Sequence, residues 1–128
     1  MHHRTGLAAT LVAASALMLT ATGAAAKGDA AKGETAFRQR CAACHSVQPG
    51  APSGAGPNLS GVMGRKAASA SGFGYSPALK ASGLTWSPEQ LNKFIAAPGS
   101  AVPGTLMPIS VPKPEDRDDL IAYLAKQK

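Results

Sequence analysis

The sequence predicts a small all-α domain in which about four helices are joined by long loops. A chain of 128 residues allows one small domain and excludes a multidomain enzyme. Its 14 Gly and 10 Pro favour short helices and many turns over long helices or a large sheet. Four stretches carry helical start signals or a helical spacing of apolar residues, whereas no stretch alternates as a strand does.

The first and last helices are predicted near the two ends of the chain that remains after its N-terminal leader. The first is expected from Asp29 or Ala30 to Cys44, with its apolar residues on broadly one side. The last follows Pro114, and its acidic residues lie near the positive end of the helix while lysines lie near the negative end.

The second and third helices are predicted from the same start signal, a serine followed by a proline. Ser76 and Ser87 are the expected N-caps, and each following proline takes the first helical position. The second helix should end near Gly83, and the third must stop before Pro98. The third helix places its apolar residues at i, i+3 and i+4, which are Leu91, Phe94 and Ile95.

Residues 1–26 have the features of a secretory leader that is cleaved. A short basic start precedes an uncharged stretch, and Ala24-Ala25-Ala26 supplies the small residues of a cleavage site before Lys27. The alternative is a retained membrane anchor, because residues 5–26 carry no charge. Cleavage leaves one domain at 27–128, exported across a bacterial inner membrane into the oxidising periplasm.

The mature chain is mildly basic. Residues 27–128 contain 12 Lys and Arg against 7 Asp and Glu, a net charge of +5. This balance suggests acidic partners or membrane head groups, and nucleic acid is not expected outside the cytoplasm.

A long irregular segment points to a buried cofactor. Residues 46–75 contain seven Gly and three Pro and follow neither a helical nor an alternating pattern. A loop of that length needs a surface on which to pack. The chain also has only six aromatic residues, which makes a marginal core for a domain of this size. A cofactor inside the domain would supply a surface on which the loop could pack and would add apolar volume to the core.

The motif that can bind such a cofactor is Cys41-Ala42-Ala43-Cys44-His45. On a helical turn, positions i, i+3 and i+4 share a face, so two thiols and an imidazole can address one planar ligand. C-x-x-C-H is the attachment signature of c-type haem. A structural disulfide, a thioredoxin-like redox pair and a zinc site are the alternatives, although zinc would need further ligands and the redox pair lacks a βαβ pattern.

The second axial ligand of such an iron is open to several candidates. His45 is the only histidine beyond the leader, so the sixth position is left to Met, to a weaker ligand such as Lys, or to nothing. Met63 is expected to fill the core. Met107 lies between Pro103 and Pro108, which restrict its loop and could hold the thioether facing the iron.

Several motifs in order along the mature chain resemble class I cytochrome c of the soluble bacterial and mitochondrial type. The resemblance implies a small cytochrome c fold, with about four helices and long loops wrapped around one covalently attached haem. It also implies that Gly33 and Phe37 contact Leu120 and Tyr123, where glycine lets two helices approach closely. Beside the C-x-x-C-H motif, the blocks that carry the resemblance are Gly56-Pro57-Asn58-Leu59, Gly64-Arg65-Lys66, Gly72-Phe73-Gly74-Tyr75, Leu84-Thr85-Trp86, Pro103-Gly104-Thr105-Leu106-Met107 and Asp119-Leu120-Ile121-Ala122-Tyr123-Leu124.

The resemblance also implies a role for each site residue toward one haem c. Cys41 and Cys44 would form its thioethers, and His45 and Met107 would be the two axial iron ligands. The carbonyl of Pro57 would accept the other imidazole N–H. The remaining haem contacts are Arg65, Tyr75, Trp86 and Ser76 near the propionates, together with Phe94 and Thr105.

The sequence departs from the family pattern at two places that bear on function. Phe94 stands where the family usually has a tyrosine near the methionine sulfur, so any hydrogen bond from that hydroxyl is lost. Residues 99–112 contain no Lys or Arg, whereas mitochondrial relatives carry lysines there to meet acidic partners.

Together these features predict a monomeric periplasmic electron carrier rather than an enzyme. Its implied partners are redox proteins met in transient contacts: a bc-type complex, a terminal oxidase, a photosynthetic centre or a dehydrogenase. One alternative is a haem domain with a labile Met107, acting as a small-molecule sensor or a peroxidase-like enzyme. The other is a thiol oxidoreductase without haem. A retained leader would anchor the domain to the membrane.

Overall fold

The structure, a computed structural model, describes residues 27–128, so the predicted leader at 1–26 lies outside the described residues. The all-α prediction is confirmed for this part of the chain, where the one strand-like pairing is an isolated bridge between Lys66 and Thr85. None of the helices described combines the length and apolar composition needed to cross a membrane. The helices are α1 (Ala30–Arg40), α2 (Pro77–Ala81), α3 (Pro88–Ala96), α4 (Pro98–Ala101) and α5 (Pro114–Leu124).

Helix α1 begins as predicted but ends before the predicted Cys44. The Asp29 carboxylate accepts hydrogen bonds from the backbone N–H groups of Ala31 (2.8 Å) and Lys32 (3.3 Å), which caps the helix. At the other end the Ala42 N–H donates to the Phe37 carbonyl, five residues back, which breaks the regular i to i−4 ladder. The C-x-x-C-H residues therefore form a separate turn beyond α1.

The two serine–proline signals begin helices where expected, and a further short helix was not predicted. The Ser76 hydroxyl accepts from the N–H of Leu79, and the Ser87 hydroxyl accepts from that of Gln90, both at 3.1 Å. Pro98 ends α3 and also takes the first position of α4, where proline loses no hydrogen bond.

Helices α1 and α5 cross in close contact at Gly33, as the resemblance implied. A Cβ at Gly33 would lie 2.6 Å from the carbonyl carbon of Asp119 and 2.8 Å from Cβ of Tyr123. Beside this point the rings of Phe37 and Tyr123 lie 5.5 Å apart, centroid to centroid. The crossing brings the N-terminal turn that carries the cysteines against the C-terminal helix.

The long segment 46–75 is fixed to the rest of the domain by backbone hydrogen bonds. The Trp86 N–H donates to the Arg65 carbonyl at 2.9 Å, and the Ala67 N–H donates to the Leu84 carbonyl at 2.8 Å. The segment thereby closes over one side of a cavity whose other walls come from the helices, the turn with the cysteines and the loop at 105–111.

Candidate functional site

The site is an apolar cavity that draws its lining from all parts of residues 27–128. Buried side chains of α1, α3 and α5, among them Phe37, Leu91, Ile95 and Leu120, form its walls. All eleven residues singled out from the sequence line this one cavity: Cys41, Cys44, His45, Pro57, Arg65, Tyr75, Ser76, Trp86, Phe94, Thr105 and Met107.

The two cysteines lie on the turn that follows α1 and are free thiols. The N–H groups of Cys44 and His45 both donate to the Cys41 carbonyl, at 3.0 Å and 2.9 Å, which places the three side chains on one turn. Burial raises the pKa of the Cys41 thiol above its ordinary value, and the Arg40 guanidinium partly offsets this. Within residues 27–128 no three or more His, Cys, Asp or Glu side chains are grouped so that they could hold a metal ion.

The His45 ring is oriented from behind by backbone. Its Nδ1 lies 2.8 Å from the Pro57 carbonyl oxygen, a contact in which Nδ1–H donates. That tautomer leaves Nε2 unprotonated and able to ligate iron. Gly56 gives the ring its room, because a Cβ there would lie 2.7 Å from Nδ1 and 2.8 Å from Nε2.

Arg65 presents a buried donor that lacks a partner among the described residues. Its two Nη atoms donate to the carbonyls of Ser60 and Asn58, each at 2.9 Å. Its Nε is buried and has no hydrogen-bond partner within residues 27–128. A buried unpaired donor is costly, and a carboxylate at this edge of the cavity would satisfy it.

The other polar residues at the cavity make local hydrogen bonds of their own. The Tyr75 hydroxyl accepts from the Ala70 N–H at 3.1 Å, and the buried Ser76 hydroxyl caps α2, so each keeps its O–H available as a donor. The Thr105 hydroxyl accepts from the Met107 N–H at 3.4 Å. The Trp86 and Phe94 rings, 5.1 Å apart between centroids, form an aromatic wall.

The structure separates the two candidate methionines. Met107, half-buried, lines the cavity with Leu106 and Pro108 on either side. Met63 packs against the hydrophobic core and is not among the residues that line the cavity.

These features fit covalently bound haem. The thiols and the imidazole share one turn, a thioether lines the same cavity, and apolar side chains suit the faces of a porphyrin. The unpaired Arg65 Nε suits a propionate carboxylate.

Asn58 has a larger part in the site than the sequence indicated. Its side-chain amide donates to the carbonyls of Gln48 and Ala51, both at 2.8 Å, and its Oδ1 accepts from the Ser60 N–H at 2.7 Å. Its own carbonyl accepts from Arg65. The signal in the sequence was its position directly after Pro57, since an Asn side chain can fix a turn.

Comparisons with known proteins place the chain among cytochromes c. A family model described as Cytochrome c matches residues 30–128. Cytochrome c2 of Rhodoblastus acidophilus is 50% identical over 90 residues, which cover 70% of this chain and 84% of that protein. Cytochrome c2 of Rhodomicrobium vannielii is 47% identical over 90 residues, covering 70% and 72% respectively.

A solved structure shares the fold. Cytochrome cH from Methylobacterium extorquens aligns with a TM-score of 0.72 and 46% sequence identity, over 78% of this chain and all of that one. The family model spans the turn with the cysteines, the long segment and the C-terminal helix, so it covers every residue that lines the cavity.

Proposed function

The chain belongs to the cytochrome c family, and from that premise we propose that it is a periplasmic carrier of single electrons in which His45 and Met107 would hold the haem iron. The family gives the cofactor, one covalently bound haem c, and the activity, electron transfer rather than enzymatic turnover. When bound, the haem supplies an iron that alternates between the ferrous and ferric states.

Each residue of the site has a role toward the haem in this proposal. Cys41 and Cys44 would hold the porphyrin covalently, and Nε2 of His45 would bind the iron. The Pro57 carbonyl accepts the Nδ1–H, so it fixes the orientation of the ring and raises its basicity as a ligand. The Met107 thioether would be the other iron ligand, and as a soft ligand it would favour the ferrous state.

The surroundings of the site would also affect the equilibrium between the ferrous and ferric states. Apolar walls exclude water and disfavour the extra positive charge of the ferric state. Arg65 Nε would donate to a haem propionate, and Tyr75, Trp86 and Ser76 would be further donors. Because His45 and Met107 would both stay bound to the iron in either oxidation state, little would rearrange when one electron moves.

The observation that carries this proposal is that one apolar cavity collects the two thiols, the imidazole and one of the two methionines of residues 27–128. The bacterial cytochrome c2 relatives and the leader features at 1–26 support a mature protein that begins near Lys27 in the periplasm. We propose that it is monomeric and exchanges electrons with redox proteins such as a bc-type complex, a terminal oxidase, a photosynthetic centre or a dehydrogenase.

The test is to purify the exported protein and characterise its cofactor and ligation. Intact mass should equal residues 27–128 plus one haem, and a pyridine haemochrome should be of c type. The ferric form should show a methionine-to-iron charge-transfer band, and the ferrous form should bind no carbon monoxide. A carbon monoxide adduct would favour the sensor or peroxidase alternative, and a colourless protein with two alkylatable thiols would refute haem attachment.

A further inference from the structure

Arg117, on α5, is half-buried and does not line the cavity. Its Nε donates to Oδ1 of Asn92, on α3, at 2.7 Å. Its Nη1 donates to the backbone carbonyls of Val111 and Pro112, at 2.9 Å and 2.8 Å. Within residues 27–128 the guanidinium forms no ion pair, so its contacts are with neutral oxygens. One side chain therefore joins two helices to the end of the loop between α4 and α5.

The loop that carries Met107 has few other attachments. It contains three prolines, which lack a backbone N–H. Within the part of the chain described, two sources of hydrogen bonds join residues 106–112 to the helices. One is Arg117, and the other is the Val111 N–H, which donates to the Ile95 carbonyl at 2.7 Å. The segment that presents the thioether is therefore held at its C-terminal end.

We propose that Arg117 is a positioning residue for iron ligation, because it holds the end of this loop against α3 and α5 and thereby keeps the Met107 thioether in the cavity. This proposal rests on the proposed function, in which Met107 would hold the iron. Val111 links the two, since it is 2% exposed, lines the cavity and lies four residues after Met107. A segment with few attachments opens at a low cost in free energy, so loss of the Arg117 contacts should free the loop.

The shape of the guanidinium explains why one side chain can make all three contacts. Its N–H donors lie in a fixed plane, so Nε meets Asn92 while Nη1 meets the two carbonyls. Lysine keeps the positive charge but carries a single ammonium on a flexible stem, which does not reproduce this spacing. Arg117→Lys therefore removes the contacts and retains the charge.

Competition with free imidazole tests the positioning role in the ferric holoprotein. Imidazole can take the sixth position only when Met107 leaves it, and the loop must then give up its contacts with Arg117. Those contacts oppose imidazole binding. At one fixed pH, Arg117→Lys should bind imidazole about tenfold more tightly than the wild type. Loss of the methionine-to-iron charge-transfer band measures the binding.

Two further variants make the competition specific. Arg38→Lys is the matched control, because it makes the same substitution at an exposed side chain of α1 that pairs with Glu34. It should change the imidazole affinity by less than about twofold. Asn92→Ala is a milder variant that removes the acceptor of the Arg117 Nε and leaves both carbonyl contacts, and it should raise the affinity about threefold.

Amide hydrogen exchange supplies a readout that does not depend on the iron. The Val111 N–H should exchange about tenfold faster in Arg117→Lys, because the end of the loop would open more often. The Ala67 N–H, which donates to the Leu84 carbonyl, is the internal control and should keep its rate.

Three outcomes would overturn the proposal. If neither Arg117→Lys nor Asn92→Ala binds imidazole more tightly than Arg38→Lys, the contacts do not hold the thioether. Equal acceleration of exchange at Val111 and Ala67 would show that the substitution weakens the whole domain rather than the loop. Faster exchange at Val111 without tighter imidazole binding would leave Arg117 with a purely structural role.

Failure of the proposed function would be distinguishable from failure of this proposal. With Met107 on the iron, Met107→Ala should bind imidazole more tightly than both the wild type and Arg117→Lys. If Met107→Ala binds it no more tightly than the wild type, the proposed ligation is wrong. Exchange at Val111 would still show whether Arg117 holds the loop.

Discussion

Replacing Asn58 with alanine should destabilise the holoprotein. It should also loosen the backbone on both sides of Asn58, toward Gln48 and Ala51 and toward Ser60. The substitution removes three side-chain hydrogen bonds, to the carbonyls of Gln48 and Ala51 and from the N–H of Ser60. At about 0.5–1.5 kcal/mol net for each bond, the expected loss is about 1.5–4.5 kcal/mol in the free energy of unfolding. At about 5 °C per kcal/mol for a domain near this size, that corresponds to a fall in Tm of roughly 8–22 °C.

The same substitution should raise the reduction potential. Asn58 fixes the backbone next to Pro57, whose carbonyl lies 2.8 Å from Nδ1 of His45. A looser carbonyl makes a weaker hydrogen bond, the imidazole becomes a poorer donor to iron, and the ferric state loses stability. Redox titration measures the potential, and thermal unfolding followed at the haem absorbance measures Tm.

Two further variants make the Asn58 experiment specific. Gln48→Ala removes an exposed side chain and leaves in place the backbone carbonyl that Asn58 uses, so its unfolding free energy should change by less than about 0.5 kcal/mol. Asn58→Asp keeps the acceptor for Ser60 but loses both donors, and should resemble Asn58→Ala at neutral pH. A Tm for Asn58→Ala within a few degrees of wild type, with an unchanged potential, would refute the reasoning.

Three other variants test separate parts of the site and fold. Gly33→Val forces side-chain atoms into the backbone of α5 and should lower the free energy of unfolding, measured in urea, by at least about 3 kcal/mol. The control Ala31→Val, on the exposed face of α1, should not lower it by that amount. Met107→Ala should keep covalent haem but lower the potential, and an unchanged midpoint in redox titration would assign the sixth ligand elsewhere. Arg65→Met removes a positive charge from the edge of the cavity and should also lower the reduction potential, by a smaller amount in high salt. A rise in the reduction potential would contradict the propionate contact.

Local signals predicted the starts of most helices. Serine–proline pairs at 76 and 87 and the Asp29 cap depend on neighbouring atoms only, and the structure has the helices begin there. The end of α1 was predicted four residues too late. The hydrogen-bond ladder shifts at Ala42, whose N–H donates five residues back, and the spacing of apolar residues does not reveal such a shift. Helix α4, with four residues, is too short for any periodic pattern to show.

The residues of the site could be predicted from the sequence, but the hydrogen bonds and ion pairs between them could not. The motif blocks contained nine of the eleven residues that were expected at the site and line the cavity, and the family resemblance added Ser76 and Phe94. The resemblance also implied the close helix approach at Gly33, whereas the contact of Gly56 with the His45 ring was not predicted. The Asn58 hydrogen bonds, the unpaired Arg65 Nε and the Arg40–Asp116 pair depend on where segments far apart in the chain meet.

The most direct test of the account is NMR of the reduced holoprotein with ¹³C-labelled methionine methyl groups. A methyl group that lies over the porphyrin face is shifted far upfield by the ring current. We expect one such resonance, present in wild type and in Met63→Leu and absent from Met107→Leu. A shifted methyl that survives Met107→Leu, or none in the wild-type protein, would contradict an iron held between His45 and Met107.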